Sequence, residues 1–153
     1  MKYTEANTPQ ITETLLEIFL KYTNQNESLI VALHGNLGAG KTTLTQNLAK
    51  LLKVEEQIQS PTFVIQKNYT LRDQPFETLV HIDAYRIEDE KEMGPLNLNE
   101  TLNQKESLII IEWPEQIAGY IPEGAVHVFL DYADQDSRSI RVEVGGSEVE
   151  VKV

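Results

Sequence analysis

Residues 29–42 read LIVALHGNLGAGKT, and this stretch decides the fold. Its apolar start, 29–33, predicts a short strand buried in a sheet. After the loop, leucines recur at helical spacing and predict a helix that ends near Lys53, namely Leu44, Leu48, Leu51 and Leu52. A strand, a glycine-rich loop and a helix in this order are typical of the GxxxxGK[ST] phosphate-binding motif.

Residues 35–42, the phosphate loop, are predicted to bind the phosphates of a nucleotide. Glycines let the backbone point its amide groups inward, and the following helix adds the positive end of its dipole. Lys41 would reach the β- and γ-phosphates, and the Thr42 hydroxyl would bind Mg²⁺. The other residues predicted to contact the nucleotide are Gly35, Asn36, Leu37, Gly38, Ala39, Gly40 and Thr43. The alternative is an ordinary glycine turn with Lys41 in solvent.

Composition limits the class of protein. With 153 residues, 41% of them hydrophobic, the chain is expected to form a single domain over 1–153. The absence of cysteine excludes disulfides and thiolate zinc sites, and no apolar run approaches membrane-spanning length, so a cytoplasmic protein is expected. Thirteen basic and 24 acidic residues give a net charge of −11, which argues against tight, autonomous binding of nucleic acid.

Hydrophobic patterning predicts a three-layer α/β fold with a mostly parallel central sheet and antiparallel margins. The elements predicted beyond the phosphate loop are an amphipathic helix capped by Thr8, an extended hairpin over 63–82, buried strands at 107–111 and 126–130, and a C-terminal hairpin that turns at Gly145 and Gly146.

Two apolar strands end in acids. Residues 79–82 lead into Asp83, and residues 108–111 lead into Glu112. Because the carboxyl ends of parallel strands line the ligand crevice, both acids are predicted to face the phosphates, where they would hold Mg²⁺ or orient water. The alternative for Asp83 is an aspartate that caps a turn.

A hydroxyl-bearing segment follows the loop helix. It comprises Ser60, Pro61, Thr62 and Phe63. At this place the hydroxyl groups would sense the nucleotide, although such a cluster alone is also typical of an ordinary turn.

Together these segments resemble the TsaE family, the small ATPase of bacterial tRNA threonylcarbamoyladenosine biosynthesis. The resemblance is carried by residues 35–43 and 60–63 and by His81, Asp83, Tyr85, Arg86, Glu112, Trp113 and Pro114. It implies a P-loop NTPase fold and Mg²⁺-dependent ATP hydrolysis that is stimulated by a TsaB–TsaD complex. Those partners would modify adenosine 37 of tRNAs reading ANN codons, so this chain would engage tRNA only indirectly.

The resemblance also implies roles for single residues. Lys41 and the loop amides would bind phosphates, and Thr42 with Glu112 would be the principal Mg²⁺ ligands. Asp83 would be a second acid, with a metal-binding or catalytic role beside Glu112. Ser60 and Thr62 would form a switch-like loop, with Thr62 close to the reaction.

Two further residues are assigned by resemblance, and two depart from the family pattern. Trp113 would lie beside the nucleotide or the partner surface, unless it is core filler. Arg138 would approach the nucleotide, unless it is an ordinary surface arginine. Asn36 replaces the usual aspartate and removes one negative charge beside the phosphates. Asn97 replaces the usual glycine and still tolerates a left-handed backbone.

Three other functions compete with that of an ATPase. A small-molecule kinase would need an arginine-rich lid, yet residues 87–116 contain no arginine. A regulatory GTPase would need a guanine-reading Asn-Lys-x-Asp sequence, which the chain lacks. A module that binds nucleotide without hydrolysing it stays open.

Overall fold

The computed structural model describes residues 1–24, 26–59, 65–89, 91 and 97–153. The strands within these ranges are β1 (Lys2–Thr4), β2 (Leu29–His34), β3 (Gln66–Thr70), β4 (Thr78–Asp83), β5 (Ser107–Glu112), β6 (Val126–Tyr132), β7 (Ser137–Val144) and β8 (Ser147–Val149). The helices are α1 (Thr8–Lys21), α2 (Lys41–Leu51) and α3 (Leu98–Leu102), with 3-10 segments at Glu5–Asn7 and Pro114–Tyr120.

The strands of the described ranges form one mixed sheet in the order β1-β7-β6-β2-β5-β4-β3, and β8 pairs with β7. The central strands β6, β2, β5 and β4 run parallel to one another. The flanking strands β3, β7, β1 and β8 pair antiparallel to their neighbours. The predicted parallel centre, antiparallel margins and C-terminal hairpin are therefore confirmed.

The sheet is covered on both faces, as its hydrophobic central strands require. All of β5 and all of β2 except His34 are buried. One face packs on α1 and α2 through Ile11, Leu15, Phe19, Leu44 and Leu48. The other face packs on α3 and the segment Pro114–Tyr120 through Leu98, Leu102 and Ile117. These two helical layers and the sheet make the predicted three-layer architecture.

Three local features of the structure differ from what the sequence patterns predict. Strand β1 was not predicted, because three residues that pair with the edge of a distant strand carry no periodic pattern of their own. Thr8 lies inside α1 and does not cap it, since the preceding 3-10 turn supplies Glu5 O to its backbone N–H. The valines after the glycine turn alternate through Val149, Val151 and Val153, which predicts a strand to the last of them, yet the last strand ends at Val149.

The register of the parallel strands brings three chain segments to one edge of the sheet. Leu33 of β2 and Asp83 of β4 both pair with Glu112 of β5. The phosphate loop follows β2 at this same edge. Within the described ranges, every helix falls short of the length and hydrophobicity that a bilayer crossing requires.

Candidate nucleotide site

Two glycines allow the phosphate loop to fold close to its neighbours. Gly35 has a φ of +148°, and a Cβ there would overlap the Leu130 carbonyl oxygen of β6. Gly38 has a φ of +80°, and a Cβ would lie 2.6 Å from the Tyr132 hydroxyl oxygen. Residues with side chains rarely adopt this backbone conformation. At Gly35 a side chain would also collide with the backbone of β6, whereas at Gly38 the close atom is the movable end of the Tyr132 side chain. The loop conformation therefore depends on these two glycines.

The side chain of Lys41 is enclosed by the phosphate loop. Its residue exposure is 6%, and its ammonium donates hydrogen bonds to Gly35 O at 2.5 Å and Asn36 O at 3.0 Å. The ammonium also lies 4.2 Å from the centroid of the Trp113 ring. The alternative that placed Lys41 in solvent is therefore wrong.

Acidic side chains surround this ammonium. Burial lowers the pKa of Lys41 from its usual value, and the nearby carboxylates of Glu112, Glu115 and Asp83 act in the opposite direction. The loop thus presents one desolvated cation with three acids close enough to influence it. The ammonium can attract an anion to the loop, and the three carboxylates oppose that attraction.

Thr42 and Glu112 are in direct contact. The Thr42 hydroxyl lies 2.9 Å from Oε1 and 3.3 Å from Oε2 of Glu112, whose residue exposure is 1%. Thr42 is the second residue of α2, immediately after the loop lysine, and Glu112 ends the fully buried strand β5. Hydroxyl and carboxylate oxygens are the ligands that Mg²⁺ prefers in proteins, so this pair fits a magnesium site.

Asp83 lies next to Glu112 across the sheet. The two residues are register partners on adjacent parallel strands, and Asp83 is 8% exposed. Its Oδ1 accepts the backbone N–H of Tyr85 at 3.0 Å, which is the turn contact that the alternative interpretation predicted. Asp83 therefore both caps a turn and stands at the same edge as Glu112, and its predicted role toward a metal stays a prediction.

Trp113 joins the loop to the end of β4. It has a left-handed backbone with φ 57°, and its half-buried ring packs 5.0 Å from the Tyr85 ring at an interplanar angle of 49°. Its other neighbour is the Lys41 ammonium. Trp113 also packs on the core cluster below Pro114–Tyr120, so it is partly core and partly a wall of the site.

The end of β6 and the start of β7 hold the opposite side of the loop. The Tyr132 hydroxyl donates to Gly38 O at 2.8 Å. Arg138 stacks its guanidinium over the Tyr132 ring at 5.6 Å, and it lines a small recess with Gly40 and Thr43. The predicted Arg138 and Thr43 are therefore brought to the loop, whereas Tyr132 was missed because its distance along the sequence gave no signal.

A second group missed from the sequence centres on His34, the residue before the loop. Its Nδ1 lies 2.9 Å from Glu115 Oε1, and its Nε2 lies 2.9 Å from His127 Nδ1. Its ring stacks on Phe129 with centroids 4.4 Å apart. Burial, followed by repulsion from His34, lowers the pKa of His127. The position of His34 directly before Gly35 was the available signal.

The remaining predicted residues are placed as follows. Leu37 forms the exposed tip of the loop, and the Ala39 side chain is buried in the core. Asn97 has φ 48° and ψ 46°, so the expected left-handed bend is present at the start of α3. Ser60 and Thr62 lie outside the described residues.

A central strand that leads into a lysine-bearing glycine loop, with an acid at the end of the neighbouring strand, defines the P-loop class of α/β proteins. The profile of the TsaE family, described as "Threonylcarbamoyl adenosine biosynthesis protein TsaE", matches residues 4–140. The chain belongs to the TsaE family, which acts in tRNA threonylcarbamoyladenosine biosynthesis.

Relatives of this chain carry the same description. The tRNA threonylcarbamoyladenosine biosynthesis protein TsaE of Haemophilus influenzae is 33% identical over 126 residues, which cover 82% of this chain and 76% of that protein. The Bacillus subtilis protein is 30% identical over 151 residues, covering 99% and 90%. The Streptomyces coelicolor protein is 41% identical over 110 residues, covering 71% and 72%.

A solved structure supports the fold. The crystal structure of Bacillus subtilis YdiB superimposes with a TM-score of 0.69 at 25% sequence identity, and the match covers 95% of this chain and 86% of that one. The α/β architecture predicted from the phosphate loop is therefore that of a known structure.

Proposed function

We propose that this chain binds ATP with Mg²⁺ and hydrolyses it as its contribution to tRNA threonylcarbamoyladenosine biosynthesis. The observation that carries the proposal is the contact between Thr42 and Glu112. It joins the residue after the loop lysine to the acid of the neighbouring strand, and a nucleotide held by the loop would place its phosphates and metal there.

The loop supplies the phosphate-binding half of the site. Its backbone amides and the N-terminus of α2 offer partial positive charge, and Lys41 offers a full one. The ammonium is now satisfied by Gly35 O and Asn36 O, and phosphate oxygens would take the place of these carbonyl groups. Phosphate binding would therefore require the Lys41 ammonium to exchange these hydrogen-bond partners for phosphate oxygens.

Thr42 and the two acids would supply the metal-binding half of the site. Thr42 and Glu112 would hold the magnesium ion, which when bound would neutralise charge on the phosphates. Two protein oxygens suit Mg²⁺, because this ion usually keeps several waters and binds substrate phosphates directly. Asp83, one strand further out, would orient water or support the metal.

Membership of the TsaE family suggests the setting of this reaction. ATP hydrolysis would be slow in the isolated chain and faster on a TsaB–TsaD complex, which would carry out the transfer to adenosine 37. The net charge of −11 supports this division, because an acidic chain is poorly suited to holding tRNA alone.

Phosphate release from Mg-ATP, measured with and without TsaB–TsaD, tests the proposal. We expect the isolated chain to release phosphate slowly and the TsaB–TsaD complex to increase the rate. Lys41→Ala should abolish both the basal and the stimulated release. Lys50→Ala, an exposed lysine on the same helix, is the matched control and should behave as wild type. Transfer of phosphate to a hydroxyl acceptor would instead indicate a kinase, and tight ATP binding without hydrolysis would indicate a binding module.

A further inference from the structure

His81 is a fully buried imidazole on β4. Its residue exposure is 0%, and neither Nδ1 nor Nε2 has a hydrogen-bond partner among the described residues. Burying a polar group without a hydrogen bond usually costs about 1–3 kcal/mol, so buried polar atoms without partners are rare in native proteins. An aliphatic side chain would avoid this cost, which implies that the imidazole serves another purpose.

The surroundings of His81 are largely apolar, although its register partner on β3 is Lys67. Side chains alternate along β4, so His81 shares its face with Leu79 and Asp83. Its register partner on β5 is Ile110, two residues before Glu112. Leu79 and Ile110 belong to the core cluster beneath α2. The imidazole is therefore a polar group in the layer between the core and the site.

The carboxylate of Glu112 lies within reach of this imidazole. His81 Nε2 is 3.5 Å from Glu112 Oε2, while Oε1 of the same carboxylate accepts the Thr42 hydroxyl at 2.9 Å. The 3.5 Å separation exceeds an ordinary N–H···O bond by about 0.5 Å, so a small movement of either side chain would close it. Oε1 of Glu112 thus faces Thr42, whereas Oε2 lies between the Thr42 hydroxyl at 3.3 Å and His81 Nε2 at 3.5 Å.

We propose that His81 is the positioning residue of Glu112. Its Nε2–H holds Oε2 and leaves Oε1 directed toward Thr42 and the metal position. A carboxylate bound through one oxygen can rotate about its last side-chain bond, whereas contacts to both oxygens fix its plane. Groups that orient metal-binding carboxylates in this way commonly change metal affinity when removed. This inference rests on the proposed function, because it concerns the same site.

Three substitutions separate positioning from a structural role. His81→Gln keeps an N–H donor near the position of Nε2, His81→Asn keeps one near Nδ1, and His81→Leu keeps neither. Affinity for Mg²⁺ is measured by titrating each variant with Mg²⁺ in the presence of a fluorescent ATP analogue, which reports binding and not turnover. The thermal unfolding temperature of each variant is measured in parallel.

We expect His81→Leu and His81→Asn to weaken Mg²⁺ affinity by about 10- to 100-fold, with His81→Gln within about 3-fold of wild type. Binding of the analogue without Mg²⁺ should be unchanged in all three. His81→Leu should unfold at or above the wild-type temperature without Mg²⁺, because neither ring nitrogen makes a hydrogen bond among the described residues and the Thr42 hydroxyl still donates to Glu112. A structural role would predict the reverse: a lower unfolding temperature with Mg²⁺ affinity retained.

The imidazole itself can be observed in the wild-type protein without nucleotide. Long-range ¹H–¹⁵N correlations identify which ring nitrogen carries the proton, and we expect the proton of His81 on Nε2. A proton on Nδ1 alone would overturn the inference, and this result does not depend on any variant folding.

The outcomes distinguish the inference from the proposed function. If wild type shows no Mg²⁺-dependent binding of the analogue, the proposed function fails and the inference fails with it. If wild type binds but His81→Leu matches it, only the role of His81 is overturned. Should His81→Leu not fold, the contrast between His81→Gln and His81→Asn decides.

Discussion

The Thr42 hydroxyl lies 2.9 Å from Glu112 Oε1, although 70 residues separate them in the chain. Thr42 follows the phosphate loop, and Glu112 ends the strand beside it. Because β2 and β5 are parallel and in register, the loop and the acid lie at one edge of the sheet. This contact joins the half of the site that can bind phosphates to the half that can bind a metal.

Replacement of Lys41 by alanine should abolish measurable ATP binding. The ammonium can make at least two charge-assisted hydrogen bonds, each worth about 1.5–3 kcal/mol, so affinity should fall by about 100-fold or more. Titration calorimetry with ATP measures this, and Lys50→Ala serves as the control. Similar affinity in Lys41→Ala and wild type would contradict the role of the loop.

Glu112→Gln should retain ATP binding and lose turnover. The amide matches the carboxylate in size but carries no charge and would hold Mg²⁺ more weakly, so phosphate release should fall by about 100-fold or more while affinity for ATP without Mg²⁺ changes little. The exposed Glu123→Gln is the matched control. Unchanged turnover in Glu112→Gln would refute its assignment, and a comparable loss in Asp83→Asn would place both acids in the reaction.

Trp113 should report the movement of Lys41. It is the only tryptophan in the sequence, and the Lys41 ammonium lies 4.2 Å from its ring centroid. If ATP draws the ammonium away, the indole emission should change and saturate at one ATP per chain. Adenosine, which lacks phosphates, and Lys41→Met should each remove the change. An equal response to adenosine would show that the base and not the phosphates causes it.

Acid should destabilise the protein through His127. Because burial and His34 lower its pKa in the folded state, the unfolded chain binds more protons below the ordinary value of 6.5. The contribution of neutral His127 to the free energy of unfolding is fully present above pH 6.5. It is lost as the pH falls through the lowered pKa of His127 in the folded state. Urea unfolding of wild type and His127→Gln at pH 7.5 and 5.5 measures this, and the variant should lose less stability.

His34 provides a second test of this prediction, because its repulsion is one cause of the lowered pKa of His127. His34→Gln removes the repulsion on His127, so the pKa of His127 should rise toward its ordinary value in an NMR titration. Titration of His127 at or above 6.5 in the wild-type protein would contradict the prediction.

Much of the fold was predictable because its strands carry strong local patterns. The apolar run that ends at Glu112 and the alternating residues around Gly145 have a period that specifies strands whatever they pair with. Strand β1 was missed because its three residues become a strand only through pairing with β7. The capping of α1 was misassigned because the preceding 3-10 turn depends on the local path of the backbone.

The candidate site was predictable to a smaller extent. The phosphate-loop motif identifies Lys41 and Thr42. The two apolar strands that end in acids identify Asp83 and Glu112. The contacts of Tyr132 with Gly38, and of His34 with Glu115, join positions that no spacing rule relates. The place of Asp83 as both a turn cap and a neighbour of Glu112 also emerged only from the geometry.

The sequence by itself determined the phosphate loop, the buried strands that flank it and the family, because glycine conformation, hydrophobic period and motif spacing are local properties of the chain. Only the tertiary structure decided which side chains meet: Thr42 with Glu112, and His81 with the other oxygen of that carboxylate. These contacts depend on strand order and register, which follow from packing of the whole sheet and not from any one segment.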